Sequence, residues 1–597
     1  MADPIVGIEY QRFKDIETDV ELLFEDLHFG FAVIPLSEIS EEGKFKALPI
    51  HDYKFDWANK VLGVVPPSIN VDSDDKVIRK NSEEWLEKNF KWAIFTNVSA
   101  IMIDLTSQNN YNLVRLCAYH LRKCHGRSIW FRIKVDAESD GAWDTWNNVF
   151  SSLPENQNKV GVVLEIGDTI PSELEMKRWS AELVMAISIA TDKFVTNKEN
   201  YPVLRKDLQN LVINSFKYKC QLILHGDDII GKGIETYRNY LYHLYESKPR
   251  RTAYEDFAYG YDDYLQIPLQ PLKDNLDNNT YEIFEKDPIK YKQYEEAVYQ
   301  ILLDRGSPVP GGEPLKQVVM VVGAGRGPLV RASLNASARA KVPVKVYAVE
   351  KNECALVVLR NLITDPYFAD VTIIDSDMRE WDPPEKADIL VSELLGSFSD
   401  NELSPECLDG AMRLMKDDGH SVPCEYTSYL APLSSRKLFN AVDNQPDNKR
   451  EDKFHQGYVV RLLNCYVFDK SKKCFVFQHS NSDKSEVIDN SRHVRLEFNT
   501  DIDLVLHGFA GYFDAKLYRD VYISILPETH SQDMFSWFPM YFPIKTPLLV
   551  KKGDKVGLDM WRVVEQSKVW YEWALTDPSP QPLHNTQGDT YWIGLLT

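Results

Sequence analysis

Short apolar runs alternate with amphipathic stretches through the first 250 residues. Phe31–Leu36, Ala100–Leu105, Ile129–Val135, Val160–Ile166, Leu183–Ser188 and Gln221–Leu224 are near-continuous and rich in β-branched residues. Parallel strands buried on both faces have this composition. Between them, Tyr111–Cys124 and Pro202–Asn214 place apolar residues at helical spacing. About eight such alternations suit a (β/α)8 TIM barrel. An open doubly wound sheet has the same periodicity, so the pattern leaves both in play. The acidic strand ends Asp104, Glu165 and Asp227 are scattered and have no metal-ligand cluster beside them. They read as caps and loop ligands of backbone amides, which makes this region a scaffold rather than a second enzyme.

From Arg251 the pattern changes. Tyrosines and prolines crowd Tyr254–Pro271, which predicts an extended segment, and a helix is predicted over Ile289–Arg305. The apolar strand Gln317–Val322 then runs into Gly323-Ala324-Gly325-Arg326-Gly327, and Pro328 suits the first turn of the next helix. Strands at Val344–Val349, Val371–Ile374 and Ile389–Val391 complete a β-α-β-α-β series, a Rossmann-like α/β sheet. Beyond Pro423 the strands alternate and short turns link them. Tyr458–Phe468, Cys474–Gln478, Val494–Phe498, Leu504–Leu506, Val521–Leu526, Gly557–Val563 and Val569–Trp573 are candidates, with Lys552-Gly553-Asp554 as a hairpin turn. This predicts an antiparallel sandwich or barrel. No internal repeat is visible. The division is therefore 1–250, 251–422 and 423–597, in keeping with a chain of 597 residues that is too long for one core.

Composition narrows the partners. The net charge of -21 comes from 68 basic and 89 acidic side chains. A polyanion would be repelled, so nucleic acid is not expected as a direct partner. Basic ligands such as Arg-rich tails would be attracted, although a solvated acidic surface reads equally well. The eight cysteines form no CxxC pair, which fits free thiols in a reducing compartment and no metal site. Met1-Ala2-Asp3-Pro4 is not the start of a signal peptide, and no apolar run reaches membrane-spanning length. The expected location is cytoplasm, nucleus or both. The polar stretch Asp443–Asp452 is expected to be a mobile loop.

The glycine loop is the first candidate site. Glycines let the backbone turn tightly and approach a ligand at a helix N-terminus. An acid at the end of the next strand can accept hydrogen bonds from ribose hydroxyls, and Glu350 stands 23 residues beyond Gly327. Dinucleotides and S-adenosylmethionine both use this arrangement. A dinucleotide fingerprint would put a small residue at 328, where this chain has Pro, and Arg326 could pair with a carboxylate such as the methionine end of the cofactor. Asp377 and Met378, after the third strand, could hold the adenine edge and ring.

The second candidate follows the fourth strand: Ser392-Glu393-Leu394-Leu395-Gly396-Ser397-Phe398-Ser399-Asp400-Asn401-Glu402. Loops at the carboxyl ends of such strands carry ligands. Glu393 and Glu402 would stand on two arms of a loop that Gly396 lets turn back, and two opposed carboxylates call for a cation between them, such as a guanidinium. Spacing alone favours the plainer reading, a Glu402 that opens a helix near Pro405 and a Glu393 that is merely exposed.

Together, Glu350, the Gly323–Gly327 loop and the Ser392–Glu406 double-glutamate loop resemble the protein arginine methyltransferase family. Tyr281-Glu282-Ile283-Phe284-Glu285-Lys286-Asp287-Pro288 and Met534-Phe535-Ser536-Trp537-Phe538-Pro539 carry the resemblance through most of 251–597, and it is looser before that. It implies an N-terminal TIM barrel that binds a partner, a Rossmann-like catalytic domain, and a C-terminal β-barrel for substrate binding and dimerisation. It also implies S-adenosylmethionine bound by Tyr281, Lys290, Gly323, Gly325, Arg326, Gly327, Glu350, Asp377 and Met378. Glu393 and Glu402 would clamp the substrate guanidinium, and Phe284 and Trp537 would sandwich it. Gln266, Leu269, Ser536 and Phe538 would line the peptide's path. Asymmetric-dimethylating relatives usually carry Met where Phe284 stands and a Thr-His-Trp loop where this chain has Phe535-Ser536-Trp537, so the resemblance points to symmetric dimethylation (type II). A WD-repeat partner in a methylosome, a homo-oligomer, and Arg-rich substrates such as histone tails and spliceosomal Sm proteins are further implications.

Chemically, two carboxylates would localise the guanidinium charge on the bonded nitrogens and hold the reacting nitrogen in line with the methyl, and a Glu would take the released proton. A small-molecule methyltransferase suits the paired acids and aromatics less well. A catalytically silent scaffold of the same fold would not need Glu393, Glu402 and the glycine loop intact. Cys407, just past the loop, reads as a buried free cysteine more readily than as a modifiable thiol.

Overall fold

The computed structural model describes residues 5–595 apart from 11–18, 20, 41–43, 48–56, 124–126, 138–140, 154–156, 307–314, 446–451 and 480–487. The chain forms two compact units, one of residues 1–250 with 464–466, the other of 251–463 with 467–597.

In the first unit eight parallel strands close into a barrel. The six runs read from sequence are all present. The two strands missing from that reading, Val6–Glu9 and Val61–Val64, are only four residues long. Val6–Glu9 pairs on one side with Gln221–His225 and on the other with Phe31–Pro35, and this closure removes the open-sheet alternative. Phe31, Val33, Leu62, Met102, Trp130 and Ile223 are among the buried side chains that pack the barrel's core. A fully filled interior is what a closed eight-stranded sheet requires. Asp104 and Glu165 are not caps. Asp104 grips Arg132 with both oxygens, at 2.7 and 3.0 Å, Glu165 lies 3.5 Å from the same guanidinium, and Glu9 bonds it as well. Asp227 is exposed. The helix expected from Pro202 begins instead at Lys206, because Pro202–Leu204 pairs as a strand with Phe194–Thr196.

The second unit holds a five-stranded parallel sheet in the order Val371–Asp375, Val344–Glu350, Gln317–Val322, Ala387–Ser392, Met415–Val422. Strand order reverses between Gln317–Val322 and Ala387–Ser392, so the loops leaving these two strands part and open a cleft. Those loops begin at Gly323 and Glu393. In the same unit, Leu504–Tyr518 runs antiparallel to Glu425–Ser434, Val521–Ser524 and Met540–Val550 within a seven-stranded sheet. A four-stranded sheet holds Arg492–Asn499, Lys555–Val564 and Lys568–Asp577. The expected strand Tyr458–Phe468 keeps only Tyr458–Val459 and Tyr466–Val467, whereas Leu504–Leu506 extends to fifteen residues. The turn at Lys552–Asp554 is present, with Gly553 at φ +89.

The segment expected to be extended from Tyr254 starts as a helix, Ala253–Phe257, because Thr252 and Glu255 form a reciprocal capping box. Of the polar stretch Asp443–Asp452, residues 446–451 lie outside the described part. No helix among the described residues is long and apolar enough to cross a membrane, and no group of three His, Cys, Asp or Glu side chains there could hold a metal ion. The seven described cysteines are free.

Candidate active site

At the sheet's switch point lies a cavity of about 420 Å³, a size suited to a small ligand. One end is built on the glycine loop. Gly323, Gly325 and Gly327 have φ of +72, +54 and +98, which L side chains rarely adopt. A Cβ on Gly323 would stand 2.9 Å from Leu394, and one on Gly325 would stand 3.0 Å from the Tyr281 ring. Gly327 is different. It precedes helix Pro328–Ala340 and packs against Leu359 and Leu362 rather than lining the cavity.

Glu350 is fixed from two sides. One oxygen accepts from Gly325 N–H at 2.7 Å, and the other accepts from Lys351 and Asn352 N–H at 2.8 and 2.7 Å. The acid thus locks the loop to its own strand end while still lining the cavity. Asn352 donates to the Tyr281 hydroxyl at 3.2 Å. Asp377 and Met378 form the wall beyond it, with the Met378 methyl 3.7 Å from where a Gly323 Cβ would be. Burial raises the Asp377 carboxyl, but Arg379, donating to both its oxygens, outweighs burial and leaves it below the usual range. Arg326 does not point freely into the cavity. Its guanidinium lies 3.1 Å from Glu285 and donates to Asn278 Oδ1 at 2.8 Å.

The other end carries the acids and rings. Glu393 accepts from Leu395 N–H at 3.1 Å and from the Lys290 ammonium at 2.9 Å. Glu402 lines the same cavity. Burial, then the Glu393 charge, hold its carboxyl well above the usual range, with Lys290 opposing. Its arm turns through two non-glycine residues of positive φ, Ser399 at +63 and Leu403 at +66. Conformations like these persist only where surroundings impose them. Gly396 and Ser399 exchange backbone hydrogen bonds of 3.1 and 2.9 Å, and the Asn401 side chain packs where a Gly396 Cβ would be. Gly396 is therefore needed for close approach, with φ in the ordinary range.

Trp537 and Phe284 flank one point. The Lys290 ammonium stands 4.9 Å from the Trp537 ring and 5.3 Å from the Phe284 ring. Trp537 is held by donating Nε1–H to the Leu395 carbonyl at 2.8 Å. Ser536 and Phe538 lie beside it on the cavity wall, as do Gln266 and Leu269 on the facing segment. Gln266 is tied by paired backbone bonds to Val459, while Leu269 is exposed.

The sequence reading missed three positioning residues. Asp287 caps helix Pro288–Arg305 with one oxygen, and with the other accepts from Phe535 N–H, Ser536 N–H and Ser536 Oγ–H at 2.7, 2.9 and 2.8 Å. The Asp-Pro step is a helix-start signal, but it says nothing of the second task. Arg562 is fully buried. It donates to Asp400 at 2.6 Å and to both Glu406 oxygens at 2.7 and 2.9 Å, bracketing Glu402. Tyr571 donates to the same Asp400 oxygen at 2.6 Å. No local signal marks Arg562 or Tyr571. Cys407 also lines the cavity, and burial pushes its thiol up to about 12, against a nearby Arg379, so it behaves as an inert buried thiol.

Comparison with known proteins adds the lineage. Residues 39–247 match the PRMT5 TIM barrel domain, 252–422 the PRMT5 arginine-N-methyltransferase, and 425–593 the PRMT5 oligomerisation domain. Protein arginine N-methyltransferase 5 of Xenopus laevis is 45% identical over 566 residues, spanning 90% of this chain and 89% of its own. The Oryza sativa subsp. japonica protein of the same name is 39% identical over 582 residues, with 90% and 89% covered. Among solved structures, the Trypanosoma brucei PRMT1 enzyme-prozyme heterotetrameric complex with AdoHcy aligns over 52% of this chain and 96% of that chain, at 17% identity and a TM-score of 0.43.

Proposed function

The chain belongs to the PRMT5 arginine-N-methyltransferase family and methylates protein arginine, and from that premise we propose that it is a type II enzyme using S-adenosylmethionine. Its products would be ω-N-monomethylarginine and symmetric dimethylarginine, formed on Arg/Gly-rich and histone-type segments. One observation carries the reading. Glu393 and two aromatic rings converge on a single point in the cavity that Glu402 also lines, and a cation already sits there, the Lys290 ammonium between Glu393, Trp537 and Phe284.

S-adenosylmethionine, when bound, supplies an electrophilic sulfonium methyl. Tyr281, Glu350, Asp377 and Met378 would hold it, and the glycine loop fits that task because any Cβ there would meet neighbouring side chains. The chain's own residues do the rest. Glu393 and Glu402 draw the guanidinium charge toward the nitrogens they bond and turn the remaining nitrogen to the donor. Phe284 and Trp537 exclude water and add cation–π attraction of about 0.5–2 kcal/mol. Glu402, whose carboxyl is already raised by burial, is suited to take the proton released on transfer.

Phe284 supports the symmetric outcome, since a flat ring beside the cation restricts which terminal nitrogen can turn to the donor. The oligomerisation-domain match supports a homo-oligomer. A WD-repeat partner on the barrel and a cytoplasmic and nuclear location complete the proposal. Transfer of labelled methyl from S-adenosylmethionine to a synthetic Arg-Gly repeat peptide, with mass spectrometry of the product, tests it. Symmetric dimethylarginine is expected, and asymmetric product alone would overturn the type II assignment.

A further inference from the structure

The closed barrel of the first unit ends in a polar layer. Met102, Trp130, Val163, Ala186 and Ile223 point inward and pack its core. Side chains alternate along a strand, so the next inward positions toward the carboxyl ends are Asp104, Arg132, Glu165, Ser188 and His225. Glu9 pairs with His225 and joins the same face. Six of the eight strands thus put a polar group into an interior that apolar side chains ordinarily fill. They do so at the end of the barrel where loops and strand ends bind ligands in this architecture.

Part of the layer satisfies itself. Arg132 gives Nε and Nη2 to Asp104 at 2.7 and 3.0 Å and Nη1 to Glu9. Three groups are left over. Glu165 lies 3.5 Å from Arg132 Nε, a nitrogen already given to Asp104, and its side chain is 30% exposed. Ser188 is 0% exposed, yet its hydroxyl has no hydrogen-bond partner. His225 Nε2 is buried and unpartnered as well. Burial pushes the His225 ring down, with Glu165 and Glu9 opposing, so it is neutral at pH 7 and offers one donor and one acceptor nitrogen. Buried polar atoms are almost always paired, and two orphans in one layer beside a loosely held carboxylate need an explanation. Glu165 and Ser188 are direct neighbours in register on adjacent strands, which places their Cα atoms about 4.8 Å apart.

Charge decides what fits. The layer holds three carboxylates against one guanidinium, and a second positive charge is the natural complement. An anion would find the Arg132 donors occupied. A metal ion would need several free ligands, and among the described residues no group of three His, Cys, Asp or Glu side chains could hold one. An ammonium needs one carboxylate, which Glu165 supplies at the open edge. The orphaned Ser188 hydroxyl and His225 nitrogen can each give or take a hydrogen bond, and a hydroxyl a few ångströms from the ammonium answers both. We propose that the carboxyl end of the barrel is a second ligand site, which binds a short amino alcohol with its ammonium on Glu165 and its hydroxyl on Ser188 and His225. The proposal is independent of the methyltransferase reading and gives the barrel a binding task of its own.

Calorimetric titration of the full chain with ethanolamine, protonated at neutral pH, tests it. Ethylene glycol, of similar shape without the charge, is the comparison. The wild type should bind ethanolamine with a Kd of roughly 1 mM or tighter, within reach of so small a ligand, and ethylene glycol at least about tenfold more weakly. Glu165→Gln should weaken ethanolamine at least about tenfold, and Ser188→Ala about threefold. The second change removes one oxygen from a packed position, so it tests the site even if the first variant does not fold. No binding by the wild type up to about 20 mM overturns the proposal, as does equal affinity for ethylene glycol. Unchanged ethanolamine binding in either folded variant overturns it too, since the amine would then sit elsewhere on the acidic surface or on the glutamates of the methyltransferase cavity.

Discussion

Asp287 and Ser536 are 249 residues apart in sequence, and the Asp287 carboxylate accepts both the Ser536 N–H and its hydroxyl, at 2.9 and 2.8 Å. The same carboxylate caps the helix that carries Lys290. One buried acid therefore sets the Trp537 loop against the Lys290 helix. Asp287→Ala should destabilise the protein by about 2–4 kcal/mol, from a lost cap plus unpaired N–H groups. It should also weaken turnover of an arginine peptide more than cofactor binding. Urea unfolding with parallel kinetics measures both, and unchanged stability would refute the coupling.

Glu402→Gln keeps the shape of the side chain and removes its charge. Methyl transfer to an Arg-Gly peptide should fall by at least about 10²-fold, while calorimetric affinity for S-adenosylhomocysteine stays within a few-fold. A variant that retains wild-type turnover takes Glu402 out of the chemistry.

The pH profile follows from the same carboxyl. Burial and Glu393 raise its pKa in the free protein, and only the ionised form grips a guanidinium. Hence kcat/KM should climb as pH rises through that raised pKa. A bound guanidinium favours the ionised form, so the acid limb of kcat should lie at lower pH than that of kcat/KM. Coincident limbs, or a reversed order, count against this role.

Phe284→Met should let asymmetric dimethylarginine emerge beside the symmetric product, because a flexible thioether replaces a flat wall. Mass spectrometry of the methylated peptide reads the ratio. Purely symmetric product from the variant would show that Phe284 does not set the outcome.

Arg562 is buried between Asp400 and Glu406, with both carboxylates within 2.9 Å. Burial opposes its charge and the two acids outweigh that, so it stays charged. Arg562→Leu leaves those acids unpaired and should cost about 3–5 kcal/mol. Chemical denaturation checks this, and a loss below 1 kcal/mol would mean that the Glu402 arm is held otherwise.

The parallel strands from Phe31 to Leu224 and the glycine loop with Glu350 were legible because each is a local pattern: an apolar run, a turn that needs glycine, an acid one strand later. The double-glutamate loop was legible only through its resemblance to a family, since spacing alone allowed Glu393 to be merely exposed. Short strands such as Val6–Glu9 escaped because four residues carry too little periodicity to stand out from a loop.

What the chain settles by itself is which segments become strand or helix and which loops must bend, because neighbouring residues decide backbone conformation and the burial of one face. Barrel closure through Val6–Glu9, the seating of Lys290 against Glu393, and the clasp of Arg562 on Asp400 and Glu406 were decided only in three dimensions. Each joins residues a hundred or more positions apart, from 103 for Lys290 with Glu393 to 216 for Val6 with Leu222. At such separations, the energy of pairing a buried charge depends on which partners the folded sheets bring within hydrogen-bonding reach.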